Sequence, residues 1–363
     1  MGEKDMAKAN TNHLDVANVQ TVDGSQLATL LDMSMSAGDS LLITGKPGIG
    51  KTSQIKQCAE RLGYDLIISH PAIEDPTKPQ GLPWMIEGDE EARFYPFGEL
   101  AKAKRATKPT IWFLDDLGQA TPAVQASYMP LLDHNEIPDC VTFVAATNRR
   151  QDKAGVSGLL EPVKSRFRGI VELELSLNSW INDYALPQGI EPDLIAFLRL
   201  RTELFHDWKP TPEIVNQPMP RTWEFFDKKL KTCAAKGIVG ETRRLALASA
   251  VGVGPTAEYA AFEDIKKHMI SIDAILLNPT TAPMPDASKP AAVYALASGL
   301  AHRANDKNFG HICQYSMRLY NEANMGEFAA LIIRDSLRKN AALANTSAFI
   351  SIGSSDFGKF LLG

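Results

Sequence analysis

The sequence predicts an α/β protein: a parallel five-stranded sheet with helices on both faces, followed by an all-helical remainder. Three observations predict it. Five short apolar runs alternate with helix-period segments as far as residue 176, the pattern of buried parallel strands joined by crossover helices. A glycine-rich loop separates the first run from the helix after it. From about residue 177 the strand pattern stops and the helical period takes over.

The elements follow in order. Residues 1–20 are polar and without periodicity, and read as a flexible tail. A helix over 25–35 carries Leu27, Leu30 and Leu31 on one face. Strands are expected at 40–44, 65–69, 110–114, 141–146 and 170–175, with a helix at 51–62 after the first. These make a core over residues 21–176. Helices at 193–207, 222–235, 241–248 and 259–269 make a second domain, a lid, over 177–270. A proline-rich stretch at 278–285 interrupts a helical extension over 271–363.

Bulk properties narrow the function classes. Of the 363 residues 44% are hydrophobic and 22% charged, which suits a folded chain of two or three domains. The net charge of -5 argues against a protein that coats nucleic acid, although a local basic groove stays open. Cys58, Cys140, Cys233 and Cys313 are far apart with no CxxC pair, as expected of reduced thiols. The N-terminus has no apolar signal segment, and no apolar run reaches the roughly 18 residues of a spanning helix. A cytoplasmic protein is the expectation.

The glycine-rich loop carries the strongest signal. Gly45-Lys46-Pro47-Gly48-Ile49-Gly50-Lys51-Thr52 satisfies G-x-x-x-x-G-K-[ST], with a strand before and a helix after. Glycines let backbone N–H groups turn inward around phosphate oxygens, and a helix N-terminus adds favourable partial charge. Lys51 would neutralise the β- and γ-phosphates of ATP and Thr52 would ligate Mg²⁺. Chance alone would match the four fixed positions in roughly one chain in a hundred of this length.

Further polar residues sit at strand ends. The run Ile111-Trp112-Phe113-Leu114 ends in Asp115 and Asp116, at the carboxyl edge where open sheets bind ligands. Asp115 would hold the Mg²⁺ shell and Asp116 would orient or deprotonate the attacking water. The strand at 141–146 runs into Asn148. If it lies between the first strand and the Asp115 strand, Asn148 adjoins the γ-phosphate. Arg166 and Arg168 close a short segment before the last strand, and Arg166 could reach the phosphate of a neighbouring subunit. Arg221 opens a lid helix that Thr222 could cap. Ordinary structural roles stay open for each: a capping Asp, a turn Asn, ion-paired or loop arginines.

The order of these motifs resembles the AAA+ ATPases, and their details resemble the MoxR-like, dynein-related branch. Gly45 to Thr52 is similar to the Walker A motif and Asp115-Asp116 to Walker B. Asn148 in Ala145-Ala146-Thr147-Asn148-Arg149 resembles sensor 1, Arg166 in Ser165-Arg166-Phe167 the arginine finger, and Arg221 in Pro220-Arg221-Thr222-Trp223-Glu224 sensor 2. Pro122-Ala123-Val124-Gln125-Ala126 and the stretch from Asp75-Pro76 to Gly81-Leu82-Pro83-Trp84 are also similar to family members. The likeness covers residues 25–270 and, faintly, the helices beyond. It implies Mg²⁺-dependent ATP hydrolysis by a homo-oligomeric ring, six subunits by family habit. Lys51 of one subunit would face Arg166 of the next. It also implies a client protein, for relatives commonly one with a von Willebrand factor A-like or metallopeptidase-like domain. Two departures matter: Asp116 stands where the family usually has Glu, and Gly118 where Asn is common, so slow hydrolysis is expected.

Two other classes stay open. One is a nucleotide-gated scaffold with incidental turnover. The other is a nucleic-acid motor using Lys102, Lys104, Arg105 and Lys108, or Arg149, Arg150 and Lys153, which otherwise read as solvated faces. Trp84, Met85, Phe94 and Tyr95, within residues 81–97, are expected to pack on the core, with a client-contacting hairpin as the alternative.

Overall fold

A computed structural model describes residues 19–362 except 89, 134–135, 150–151, 153–157 and 267–268. Its strands are β1 (Gln20–Val22), β2 (Leu41–Gly45), β3 (Asp65–Ser69), β4 (Leu82–Trp84), β5 (Arg93–Tyr95), β6 (Thr110–Leu114), β7 (Val141–Asn148) and β8 (Gly169–Leu173). Six form one sheet in the order β1-β8-β2-β7-β6-β3, every neighbour parallel. β4 and β5 form a separate antiparallel ribbon.

The expected five strands are therefore six. The addition is β1, which begins inside the stretch assigned to the tail. It is three residues long and only Val22 is buried, so it produces no apolar run. Residues 1–18 lie outside the described residues.

The centre of the sheet shows why its strands read as unbroken apolar runs. Every residue of β6 is buried. Trp112 and Leu114 pack on one face with Phe143 and Ala145, whereas Ile111 and Phe113 pack on the other with Val144 and Ala146. With both faces covered, alternation disappears. The first face is covered by α3 (Gly98–Lys104) and the 122–132 segment, and the second by α1 (Gly24–Ala37) and α2 (Lys51–Leu62). Asp23 caps α1 by accepting the Gln26 N–H at 2.8 Å.

Beyond the sheet the chain is helical. One core gathers Trp180, Phe197, Trp223, Phe226, Tyr259 and Phe262, and a second gathers Leu296, Phe309, Ile312, Tyr315 and Ile332. Helix Pro290–Arg303 belongs to both, giving Ala291 and Ala295 to the first and Val293, Leu296 and Leu300 to the second. A buried two-pronged pair, Arg199 to Asp335 at 2.6 and 3.0 Å, joins them. No helix among the described residues is long and apolar enough to cross a membrane.

Candidate nucleotide site

β2 delivers the chain to the loop at the carboxyl edge of the sheet. Gly48 and Gly50 take positive φ, 70° and 90°, where a side chain would be strained. A Cβ on Gly48 would also strike the Met219 sulfur at 2.1 Å. α2 starts at Lys51 with no side-chain cap, so its first N–H groups are left for an anion.

Three strands bring the polar residues together. β7 lies between β2 and β6, as the Asn148 expectation required, and its register sets Asn148 opposite Gly45. Lys51 Nζ donates to Asn148 Oδ1 at 2.7 Å and to the carbonyls of Gly45 and Lys46 at 3.0 Å each. Thr52 Oγ1 donates to Asp115 Oδ2 at 2.9 Å. Burial lowers the Lys51 pKa to about 8, against the opposing pull of Asp116 and Asp115. Burial also raises the Asp116 carboxyl, and the Asp115 charge adds to that, while Lys51 and Arg221 oppose it. Asp116 holds a left-handed backbone, φ 56° and ψ 36°.

The residues fit a magnesium nucleotide. Glycine turns and an uncapped helix start suit phosphate oxygens, a buried ammonium lies beside them, and a hydroxyl–carboxylate pair offers two hard oxygen ligands.

The lid closes over this edge. Arg221 donates its backbone N–H to the Gly48 carbonyl at 3.4 Å, and its charge reaches both Lys51 and Asp116. A cavity of about 270 Å³ lies between the loop and the lid, lined by Gly50, Thr52, Trp180, Tyr184, Arg221 and Phe225. Its aromatic wall suits a planar base. Thr222 helps cap the lid helix, but from its third position in a capping box, since the helix starts at Pro220. It sits two residues further in and accepts the Met219 N–H at 3.0 Å, because proline occupies the first helical position.

Arg166 is not part of this group. Its Nε donates to Asp133 at 3.0 Å and its Nη1 to the Pro162 carbonyl at 2.7 Å. Its own carbonyl accepts from Ser40 at 2.7 Å, at the start of β2. The loop lies at the other end of that strand, roughly 16 Å away at about 3.3 Å per residue.

The first basic cluster is the solvated face expected, with Lys102, Arg105 and Lys108 exposed, whereas Arg149 of the second cluster and the aromatic segment differ from expectation. Arg149 is held by Asp152 and Glu172, which raise its pKa. Lys104 pairs with Glu136. Arg150 and Lys153 lie outside the described residues. The aromatics of 81–97 do not pack on the core: Trp84, Met85, Phe94 and Tyr95 are all exposed on the β4–β5 ribbon. The physical reason is that a two-stranded ribbon standing off the sheet has no layer to bury them against.

Several residues at the site carry no sequence signal. His206 touches the Pro47 carbonyl at 3.1 Å from 159 residues away, and burial lowers its pKa. His70 Nδ1 lies 3.9 Å from Asp115 Oδ2. Trp180, Tyr184 and Phe225 resemble any core aromatic until the lid is folded.

Residues 41–175 match the family model described as ATPase family associated with various cellular activities (AAA). No curated protein matches the chain. Among solved structures, the RuvB Holliday junction branch migration motor of Thermotoga maritima is 16% identical over 76% of this chain and 80% of its own, with a TM-score of 0.33. Two of its variants match at 16% and 15% identity over the same shares, with TM-scores of 0.37 and 0.38. Likeness at that level says nothing about what this chain binds. Residues 41–175 are a nucleotide-binding domain of the AAA family.

Proposed function

We propose that the chain hydrolyses ATP as a ring of identical subunits and spends the cycle on a partner protein, in the manner of the MoxR-like branch. The observation that supports this best is the convergence of Lys51, Thr52, Asp115 and Asn148 from three adjacent strands. In this reading the loop 45–52 wraps the phosphates and Lys51 moves from its carbonyl partners onto them. Thr52 and Asp115 would hold Mg²⁺, which supplies charge neutralisation between the β- and γ-phosphates. Asp116, its carboxyl raised by burial and by Asp115, takes the proton of the attacking water. Asn148 orients that water, and Arg221 reports the nucleotide to the lid.

Arg166 acts in trans. At the far end of β2 from its own phosphate loop, it would serve the site of the next subunit, with six subunits taken from the family resemblance. The partner expected from the same resemblance carries a von Willebrand factor A-like or metallopeptidase-like domain. The test is the ATPase rate per subunit against protein concentration, for the native chain and Arg166→Ala. The native rate should climb with concentration and that of the variant should collapse, with ATP binding kept.

One observation favours a second reading, a nucleotide-gated scaffold with little turnover. Asp116 is one methylene shorter than the Glu usual there, and small misplacements of a base are costly. A flat, barely detectable rate in both proteins despite tight ATP binding would favour it. A nucleic-acid motor has weaker support, because Arg149 and Lys104 are engaged in ion pairs.

A further inference from the structure

The glycine loop recognises phosphate and is indifferent to the base attached to it. Beside α2 the cavity between loop and lid leaves room for that base. α2 carries Gln54 and Gln57 into it, three and six residues after Lys51, and so about 4.5 and 9 Å further along the helix axis at about 1.5 Å per residue. Trp180, Tyr184 and Phe225 line the same cavity from the lid side. A second cavity of about 350 Å³ adjoins it, lined by Gly24, Arg61 and Asp183, and the two glutamines belong to both.

Gln54 stands out among these residues. It is only 8% exposed, yet its side-chain amide makes no hydrogen bond among the described residues. Buried amides in folded proteins are satisfied by a partner, and here the partner has to come from whatever fills the cavity. The amide is also held in place. A Cβ on Gly24 would lie 2.7 Å from Gln54 Oε1 and 3.3 Å from its Cδ, so the amide sits there because the first residue of α1 has no side chain. The Gly24 backbone is not left-handed, and room for Gln54 is what calls for glycine.

An amide offers a donor and an acceptor side by side. Adenine presents the complement along one edge, the N6 amino donor beside the N7 acceptor. A 6-oxopurine such as guanine or hypoxanthine presents two acceptors there, O6 and N7. Either orientation of the amide then leaves one acceptor facing another. We propose that Gln54, seated by Gly24, reads the N6–N7 edge of adenine and makes the site selective for adenine nucleotides over 6-oxopurine nucleotides. This selectivity rests on the reading of the loop as a nucleoside triphosphate site. Gln54 determines specificity and takes no part in moving the phosphoryl group.

The test is isothermal titration of the full chain with ATP, ITP, GTP and 7-deaza-ATP in the presence of Mg²⁺, with a melting curve for each variant. The native chain should bind ATP about tenfold or more tighter than ITP or GTP, the scale of one two-pronged amide–base contact. 7-Deaza-ATP, which lacks the N7 acceptor, should bind several-fold more weakly than ATP. Gln54→Met keeps length and burial; it should lower ATP affinity about tenfold and change ITP affinity little, so that the preference disappears. Gly24→Ala keeps the amide but displaces it, and should shrink the preference in the same direction. A preference that survives Gln54→Met overturns the proposal, as does 7-deaza-ATP binding as tightly as ATP. Equal affinity of the native chain for ATP, ITP and GTP overturns it too, and leaves the ATPase reading standing. If none of the four binds to a chain that melts cooperatively, the ATPase reading falls and the selectivity with it. Should Gln54→Met fail to fold, Gly24→Ala decides: an unchanged preference there overturns the proposal.

Discussion

The two edges of the central sheet carry unequal shares of the chemistry. At the carboxyl edge Lys51 bonds Asn148 and Thr52 bonds Asp115, with Arg221 and His206 reaching in from the lid. At the amino edge Arg166 is fastened to Asp133 and Pro162, a strand's length away. A single chain therefore holds what is needed to bind nucleotide. Arg166 is out of reach of that site, and in the proposed ring it would serve the site of another copy.

The comparison can be broken most sharply at Arg166. Arg166→Ala should cost about 10³-fold or more in kcat, with ATP affinity unchanged, measured by steady-state turnover and by titration. A large loss of affinity instead would put Arg166 in its own site. Mixing Arg166→Ala with Lys51→Ala subunits should restore roughly a quarter of the native rate, since random assembly leaves that share of interfaces intact. No recovery would sink sharing between copies. Lys51→Ala by itself should weaken ATP binding by about 10²-fold or more, the scale of a lost buried charge-assisted contact. Asn148→Ala, which removes one neutral donor, should cost about 10-fold to 10²-fold in kcat and little in affinity.

The smallest effect concerns the lid. Burial keeps the His206 pKa below its ordinary value, so the fold takes up fewer protons there than the unfolded chain does. Its contribution is complete above about pH 6.5 and is lost as pH falls through the lowered value. Melting temperature should therefore drop less between pH 7 and 5 in His206→Gln than in the native chain, by about 1–3 °C. Identical slopes would mean that the Pro47 contact is insensitive to protonation.

What the sequence made legible divides along physical lines. β6 matches its expected bounds because burial on both faces leaves an uninterrupted apolar run, β3 because Leu66-Ile67-Ile68 is a short apolar run even at the edge of the sheet, and α2 because it follows a glycine turn and ends at Gly63. Asn148 could be assigned to the site only on the condition that its strand lies between the first strand and the Asp115 strand, a condition the sheet order meets. β1 escaped since three residues make no period. Thr222 caps from the third position and not from the first, because Pro220 opens the helix two residues earlier. Met219 and His206 meet the loop through tertiary folding alone. The ribbon was misjudged for a different reason: Trp84 and Phe94 are residue types that usually find a core, and exposure is decided by the layers around them.

Asp116 offers a practical handle. Its left-handed backbone is a conformation that Asp and Asn accept more readily than other side chains do. Asp116→Asn therefore keeps shape and backbone preference while deleting one charge, whereas Asp116→Glu lengthens the arm on a backbone that favours it less. On the proposed function the asparagine form is the bait: it should load nucleotide and stall, holding a partner long enough for the two to be purified together and the partner read by mass spectrometry.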